Sequence, residues 1–178
     1  MITGRPTWLS EEGMTARINA PARWSRYRFL AGANRHIQQE STYWRRSLWE
    51  KAGAHMDGSC RNGADFELWI RFFRHAKLYP VDALIGGFRG HGDSLGLNYL
   101  EEVHRAHDRY IEEELKNVAW GRSLHYFRRV SYFMQATPKL RWFWKRLVMN
   151  PLYQRRGKDF PPVIRYQTDR WKFWTDPL

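Results

Sequence analysis

The sequence has a single cysteine and no long apolar run. Cys60 alone cannot form a disulfide within the chain or supply a cysteine-built zinc site, so nothing points to an oxidising compartment. No window approaches the roughly 18 consecutive apolar residues of a membrane-spanning helix. The first residues reach glycine, proline and acidic side chains too early for a signal peptide. We therefore expect a cytoplasmic protein, either soluble or peripheral at the inner face of the membrane.

The C-terminal third is poor in acidic residues. Residues 120–178 contain 13 Lys and Arg against 3 Asp and Glu, whereas residues 1–119 contain 17 against 15. Half of the ten tryptophans lie in the same basic third. Basic residues mixed with Trp and Tyr are typical of segments at an anionic membrane interface, and basic segments also bind nucleic acid. We expect peripheral contact with an anionic membrane and favour it over nucleic acid.

The first 96 residues alternate strand and helix patterns, which predicts an α/β fold. The clearest helix is residues 65–76, where Leu68, Trp69, Phe72 and Phe73 form one apolar stripe. Apolar content of 43% over 178 residues is enough for one hydrophobic core. The other predicted elements of this part are strands at residues 7–9, 15–18, 37–44, 77–81 and 83–88, and helices at residues 25–31 and 46–52.

The remainder, residues 97–178, is predicted to be a helical, basic and aromatic extension. Helical patterns cover residues 98–116, 122–135 and 139–149. Beyond Pro151 the chain contains more prolines, which indicates irregular structure there.

Three blocks follow one another between Ile37 and Leu95: IQQESTYWRRSLWEKAG, ADFELWIRFFRHAKLYPVD and FRGHGDSLG. In this order and spacing they resemble the acceptor-side half of family 2 glycosyltransferases. That family has an extended segment ending in an aromatic and two basic residues, an LWEKVG-like helix, a D-aromatic-D-LW-L-R helix, and a loop with His and Ser. The resemblance covers residues 1–95. It implies part of a GT-A-like fold, the Rossmann-like fold of nucleotide-diphospho-sugar transferases.

The activity that the resemblance implies is the transfer of a sugar from a nucleotide-sugar donor to an acceptor hydroxyl. The acceptor would be a glycan or a lipid-linked glycan, in the biosynthesis of cell-surface polysaccharide, and the transfer would invert the anomeric centre. The alternative function is a non-catalytic basic module that binds an anionic membrane surface or nucleic acid through residues 120–178.

The resemblance also implies roles for particular residues. Asp65 matches the catalytic base that deprotonates the acceptor hydroxyl; the alternative, compatible with it, is a helix cap. His91 matches the loop histidine near a divalent cation and the donor diphosphate, and Ser94 would contact the same phosphates. The implied cofactor is Mn²⁺ or Mg²⁺, and imidazole suits Mn²⁺ better.

The acceptor side is expected to carry a pocket of polar and aromatic residues around the extended segment. Arginine side chains bind phosphates well. The alternatives are that the two arginines are solvated charges and that the tryptophan belongs to the core. The glutamate in the first turn of the 65–76 helix would orient that helix or an adjacent arginine. The pocket residues are Gln39, Glu40, Trp44, Arg45, Arg46 and Glu67.

Two features depart from the family pattern. Many family members have Glu-Asp where this chain has Ala64-Asp65. No Asp-x-Asp metal motif occurs in the sequence, and in the family that motif and the nucleotide-binding half come earlier in the chain. We therefore expect Met1 to be an internal start, with the donor half missing, and the isolated chain to be inactive.

Overall fold

The architecture is mixed α/β, as the sequence predicts. The computed structural model describes residues 1–32, 36–59, 63–91, 100–134, 137–144, 146 and 160–174. Their helices are α1 (Arg26–Leu30), α2 (Arg46–Lys51), α3 (Ala64–His75), α4 (Leu100–Lys116), α5 (Gly121–Met134) and α6 (Pro138–Trp144). Their strands are β1 (Ile2–Thr3), β2 (Thr7–Leu9), β3 (Thr15–Ile18), β4 (Thr42–Tyr43), β5 (Tyr79–Pro80), β6 (Phe88–Arg89), β7 (Val163–Gln167) and β8 (Arg170–Trp174).

The strands before α4 form two small sheets with the same plan. In the first sheet β1 is central, antiparallel to β4 and parallel to β5. In the second sheet β2 is central, antiparallel to β3 and parallel to β6. The β2–β3 hairpin has the bounds that the sequence predicts, and its turn includes Gly13 at φ 84°, a conformation that favours glycine.

The C-terminal strands form a separate two-stranded hairpin that contacts the chain just after β5. Residues 163–174 were expected to be irregular, and that expectation is wrong. β7 and β8 pair over five residues, and the two-residue loop between them, Thr168 and Asp169, has positive φ at both positions as a type I′ loop requires. The hairpin reaches β5 through a backbone hydrogen bond of 2.8 Å from Asp82 N–H to the Ile164 oxygen, and the Asp82 carboxylate pairs with Arg5 and Arg165.

One hydrophobic core includes both predicted parts of the chain. Phe29 of α1 is fully buried and stacks on Phe66 of α3, with ring centroids 4.6 Å apart. Ile111 of α4 and Leu124 of α5 are buried in the same core. Burying a side chain of this kind contributes about 1.5–3 kcal/mol. Residues 1–96 and residues 97–178 are therefore held together by shared packing.

A buried carboxylate joins three of the helices. The Glu114 side chain of α4 is 1% exposed and pairs with Arg26 of α1 and Arg74 of α3. The Arg74 guanidinium donates to both Glu114 oxygens: its Nε lies 3.2 Å from Oε1 and 3.0 Å from Oε2, and its Nη2 lies 2.5 Å from Oε2. None of the helices that the structure describes is long and apolar enough to cross a bilayer.

Candidate functional site

Asp65 is the second residue of α3 and lies half-buried at the amino-terminal end of this helix. The N-cap is Gly63, which has no side chain to cap the helix, so the cap alternative does not describe Asp65. The Asp65 carboxylate accepts a hydrogen bond of 2.8 Å from the backbone N–H of Phe66. The positive end of the helix dipole also stabilises a carboxylate at this point. The side chain is thus held by the first turn of a well-packed helix.

Burial raises the pKa of the Asp65 carboxyl above its ordinary value of 3.8. The backbone N–H groups of Phe66 and of Asp65 itself act in the other direction, as does the positive charge of His36, whereas the Glu40 carboxylate raises the pKa further. His36 and Glu40 therefore each interact electrostatically with Asp65, although both are distant from it in sequence. A carboxylate with a raised pKa takes up a proton more readily, which is what a general base needs.

Glu40 lies on a single 3₁₀ turn, Gln39–Ser41, whose position is fixed by Gln38. The buried Gln38 amide donates from Nε2 to the Thr7 carbonyl at 2.7 Å and accepts from the Thr7 N–H at 2.8 Å. The Gln38 carbonyl accepts from the Thr42 hydroxyl at 2.7 Å. The turn is consequently anchored to the second sheet, and Gln39 and Glu40 are exposed at its surface.

Gly86 brings another segment against the same turn. A β-carbon at Gly86 would lie 2.3 Å from the Glu40 carbonyl oxygen, so only glycine allows this approach. The chain continues from Gly86 through β6 towards His91. The 3₁₀ turn therefore has two neighbours. Its Glu40 interacts electrostatically with Asp65 at the start of α3, and its backbone contacts the segment that leads through β6 to the predicted diphosphate loop.

Glu67 orients an arginine, as the sequence predicts for this first-turn carboxylate. Its two carboxylate oxygens accept from Arg71 at 2.6 and 2.7 Å. The Arg71 guanidinium is buried and also donates to the carbonyls of Ala52 and His55, the latter at 2.7 Å. Glu67 thus fixes the loop after α2 against α3, and its side chain is engaged in this network.

Trp44 and Arg45, two of the predicted pocket residues, lie at the other end of α3. They line a cleft of about 600 Å³ together with His75 and, from the C-terminal hairpin, Phe173. Ten residues of helix separate Asp65 from His75, which corresponds to about 15 Å along the axis. The predicted acceptor residues therefore form two groups, with Gln39 and Glu40 near Asp65 and the cleft residues at the far end.

The aromatic and basic residues of this segment have structural partners. The Trp44 ring packs edge-on against Trp69 and Phe72, with centroid distances of 5.6 and 5.2 Å, so the core-aromatic alternative applies to it as well. Arg46 is exposed and pairs with Glu50 at 3.0 Å on the surface of α2. A surface pair of this kind contributes little to stability.

His91 is exposed and directly follows the segment Phe88–Gly90, whose last backbone N–H donates to the Leu9 carbonyl at 3.2 Å. Ser94 lies outside the described residues. Among the residues that the structure describes, no three His, Cys, Asp or Glu side chains are grouped closely enough to hold a metal ion. The divalent cation that the resemblance implies for the complete enzyme therefore stays a prediction, and we derive no step through it.

Two positions of this site could not be recognised from the sequence. His36 precedes the first of the three blocks and has no distinctive neighbours, and Gly86 lies in an apolar run that reads as a strand. The pair Gly86-Gly87 was the one available signal, because glycine in a strand pattern often marks a close backbone approach.

Comparison with protein-family models, with curated proteins and with solved structures returns no match for this chain. The function is therefore argued from the site.

The raised pKa of Asp65 leads to a prediction about stability. A raised pKa means that the folded state binds the proton more tightly than the unfolded chain. The resulting stabilisation is complete below about pH 3.8 and is lost as the pH rises through the folded-state pKa. Asparagine keeps the hydrogen-bond acceptor but carries no charge. We expect Asp65→Asn to be more stable than the native protein at pH 7, by about 1.4 kcal/mol for each factor of ten in proton affinity.

Urea unfolding of both proteins at a series of pH values measures this difference. It should shrink towards zero as the pH falls below about 3.8. A difference that does not change with pH, or a variant that is less stable at pH 7, would contradict the assignment of a buried, charged Asp65.

Proposed function

We propose that this chain is the acceptor-activating part of a GT-A-like glycosyltransferase, with Asp65 as the general base. The observation that carries the proposal is the half-buried Asp65 carboxylate at the start of α3, with a raised pKa and with Glu40 and His36 as electrostatic neighbours. The resemblance of the three sequence blocks to family 2 glycosyltransferases supports it independently.

The reaction would need one proton transfer and one displacement. An Asp65 carboxylate oxygen accepts the proton of the acceptor hydroxyl, and the hydroxyl oxygen attacks the anomeric carbon of the donor sugar. The bond from that carbon to the diphosphate oxygen breaks, and the nucleoside diphosphate leaves with the electron pair. Attack opposite the leaving group inverts the anomeric centre.

The residues around Asp65 would prepare it for this step. Burial makes the carboxylate more basic than an exposed one, and the Glu40 carboxylate adds to this effect. The carboxylate can accept the proton only if it is ionised when the acceptor binds. The electrostatic effect of His36 favours that ionised form. The exposed Gln39 and Glu40 side chains would contact acceptor hydroxyls.

The nucleotide sugar would be bound by the donor half that the resemblance implies. His91 and Ser94 remain the proposed contacts of the diphosphate, and Trp44 and Arg45 are assigned to the separate cleft at the other end of α3. Arg46 and Glu67 are assigned structural roles, because each is paired within the chain.

The test of this function is sugar transfer by the protein as its gene encodes it. The protein is incubated with a panel of nucleotide sugars and with glycan or lipid-linked acceptors, and release of nucleoside diphosphate is measured with Mn²⁺, with Mg²⁺ and with EDTA. We expect acceptor-dependent release with one donor. A folded protein that releases nucleoside diphosphate from no donor in the panel would count against the proposal.

A further inference from the structure

The outer face of α5 alternates arginine with large aromatic residues. Arg122, Tyr126, Arg129 and Phe133 follow one another at spacings of four, three and four, which places them on one side of the helix. The Tyr126 and Phe133 side chains are 71% and 70% exposed, and both arginines are exposed as well. A face of this composition is unusual for a helix that packs its other side into a core.

The inner face of α5 packs into the core and pairs with the nearby acidic residues of α4. Leu124 is buried in the core. The Arg128 guanidinium pairs with Asp108 of α4 at 2.7 Å, and the His125 ring contacts Glu112 of α4 at 2.6 Å. Within the described part of the chain, the outward-facing arginines of α5 have no acidic partner.

Helix α6 adds further exposed aromatic residues. Trp142 and Phe143 are 63% and 50% exposed, and no residue of α6 is buried. The helix is attached to α5 by Trp144, whose ring packs on Phe127 and whose Nε1–H donates to the Ser131 hydroxyl at 3.1 Å. The Arg146 guanidinium lies over the Trp142 ring, 5.6 Å from its centroid. The Trp142 and Phe143 side chains are thus left largely in water although they are apolar.

The sequence segment that includes these two helices has ionised side chains of one sign only. Residues 121–158 contain ten Lys and Arg and no Asp or Glu. We define the basic-aromatic surface as Arg122, Tyr126, Arg129, Phe133, Trp142 and Phe143. Its potential attracts anions, and its rings would leave water only against an apolar partner.

We infer that the basic-aromatic surface binds the headgroup region of an anionic lipid bilayer. Helices that lie in this region have arginine or lysine for the anionic headgroups and Trp, Phe or Tyr for the boundary with the acyl chains. Nucleic acid would satisfy the arginines but would leave Phe133 and Phe143 largely in water. The lipid bilayer matches both the charge and the apolar side chains, and this inference does not depend on the proposed function.

The test is flotation of the full chain with vesicles of phosphatidylcholine alone and of phosphatidylcholine with about 30% phosphatidylglycerol, an anionic content that gives a negative surface potential. We expect binding to the anionic vesicles and little binding to the neutral ones. Each cationic residue near such a surface strengthens binding about fivefold. Arg141 is exposed on α6 directly before Trp142, so the variant Arg122→Gln, Arg129→Gln, Arg141→Gln should bind about 100-fold more weakly.

A second variant tests the aromatic part of the surface. Trp142→Ser with Phe143→Ser should weaken binding to the anionic vesicles by at least about tenfold, because less apolar area leaves water. Both rings are exposed, so the fold is retained, and circular dichroism checks this.

The matched control removes the same charge elsewhere. Arg17, Arg46 and Lys51 are exposed and lie outside the basic-aromatic surface, so changing all three to glutamine should weaken binding much less. Equal losses in both charge variants would overturn the inference, because they would show attraction by net charge alone. Equal binding to neutral and anionic vesicles would also overturn it, and so would binding to a single-stranded oligonucleotide with no binding to vesicles.

Discussion

Replacing Asp65 with asparagine is expected to lower kcat of the complete enzyme about 10²–10⁴-fold, the usual contribution of a general base. The amide has nearly the same shape and still accepts the hydrogen bond from the Phe66 N–H, but it cannot take a proton from the acceptor. The KM for the donor should change little, since the role proposed for Asp65 is at the acceptor. The measurement is steady-state release of nucleoside diphosphate.

The dependence on pH separates a base from a structural residue. In the native enzyme kcat should rise with pH through the pKa of Asp65 in the complex, and the variant should lack this rise. The matched control is Glu113→Gln, the same chemical change at an exposed position of α4, which should leave kcat unchanged. Full activity in Asp65→Asn would refute the assignment of the base but not the sugar transfer itself.

The second large effect is expected on stability, from Glu114. Changing Glu114 to glutamine should lower the free energy of unfolding by about 3 kcal/mol, because removing one partner of a buried ion pair leaves the other charges uncompensated. The value lies at the low end of the usual range because Arg26 and Arg74 are 33% and 43% exposed, so water compensates part of the loss. Urea unfolding at pH 7 measures it.

A triple variant makes the interpretation of Glu114 testable. Replacing Arg26, Arg74 and Glu114 together by methionine removes all three charges, and well-packed apolar replacements of buried ion pairs are often neutral or stabilising. We expect the triple variant to be more stable than Glu114→Gln. If it is less stable, the arginines contribute through packing, and the loss in the single variant does not report the ion pairs.

Local patterns predicted the amphipathic elements correctly. The apolar residues of α3 recur at helical spacing, and its observed bounds differ from the predicted 65–76 by one residue at each end. The β2–β3 hairpin has alternating residues around a glycine turn and was predicted with its correct bounds. Helix α3 buries one face, and this burial produces the periodicity that its sequence shows, whereas all four residues of β3 are exposed.

Elements that depend on distant partners were not predicted. β1 has only two residues, and it exists because it pairs with β4 on one side and β5 on the other. The β7–β8 hairpin does alternate polar and apolar residues, as in Arg165-Tyr166-Gln167, but the prolines before it suggested irregular structure. Proline directly before a strand is tolerated, so the prolines do not argue against a hairpin here.

For the site, the sequence indicated individual residues better than their grouping. Asp65 and the Glu67–Arg71 pair follow from positions on one helix, where spacing determines geometry. Trp44 was expected in the same acceptor pocket as Glu40, with a core position as the alternative. The intervening strand β4 instead carries the chain along the first sheet, so that Trp44 reaches the cleft at the far end of α3. The number of residues between two positions does not reveal that the chain runs to the other end of α3 between them.

The central position of β1 determines when its sheet can assemble during synthesis. Ile2 pairs with Tyr43 and also with Tyr79, so β1 needs a neighbour that is made 77 residues later. A nascent chain that ends before Tyr79 leaves one edge of β1 without its strand. Contacts over such long sequence distances slow folding. The first sheet is therefore expected to close late, after the helices between its strands have formed.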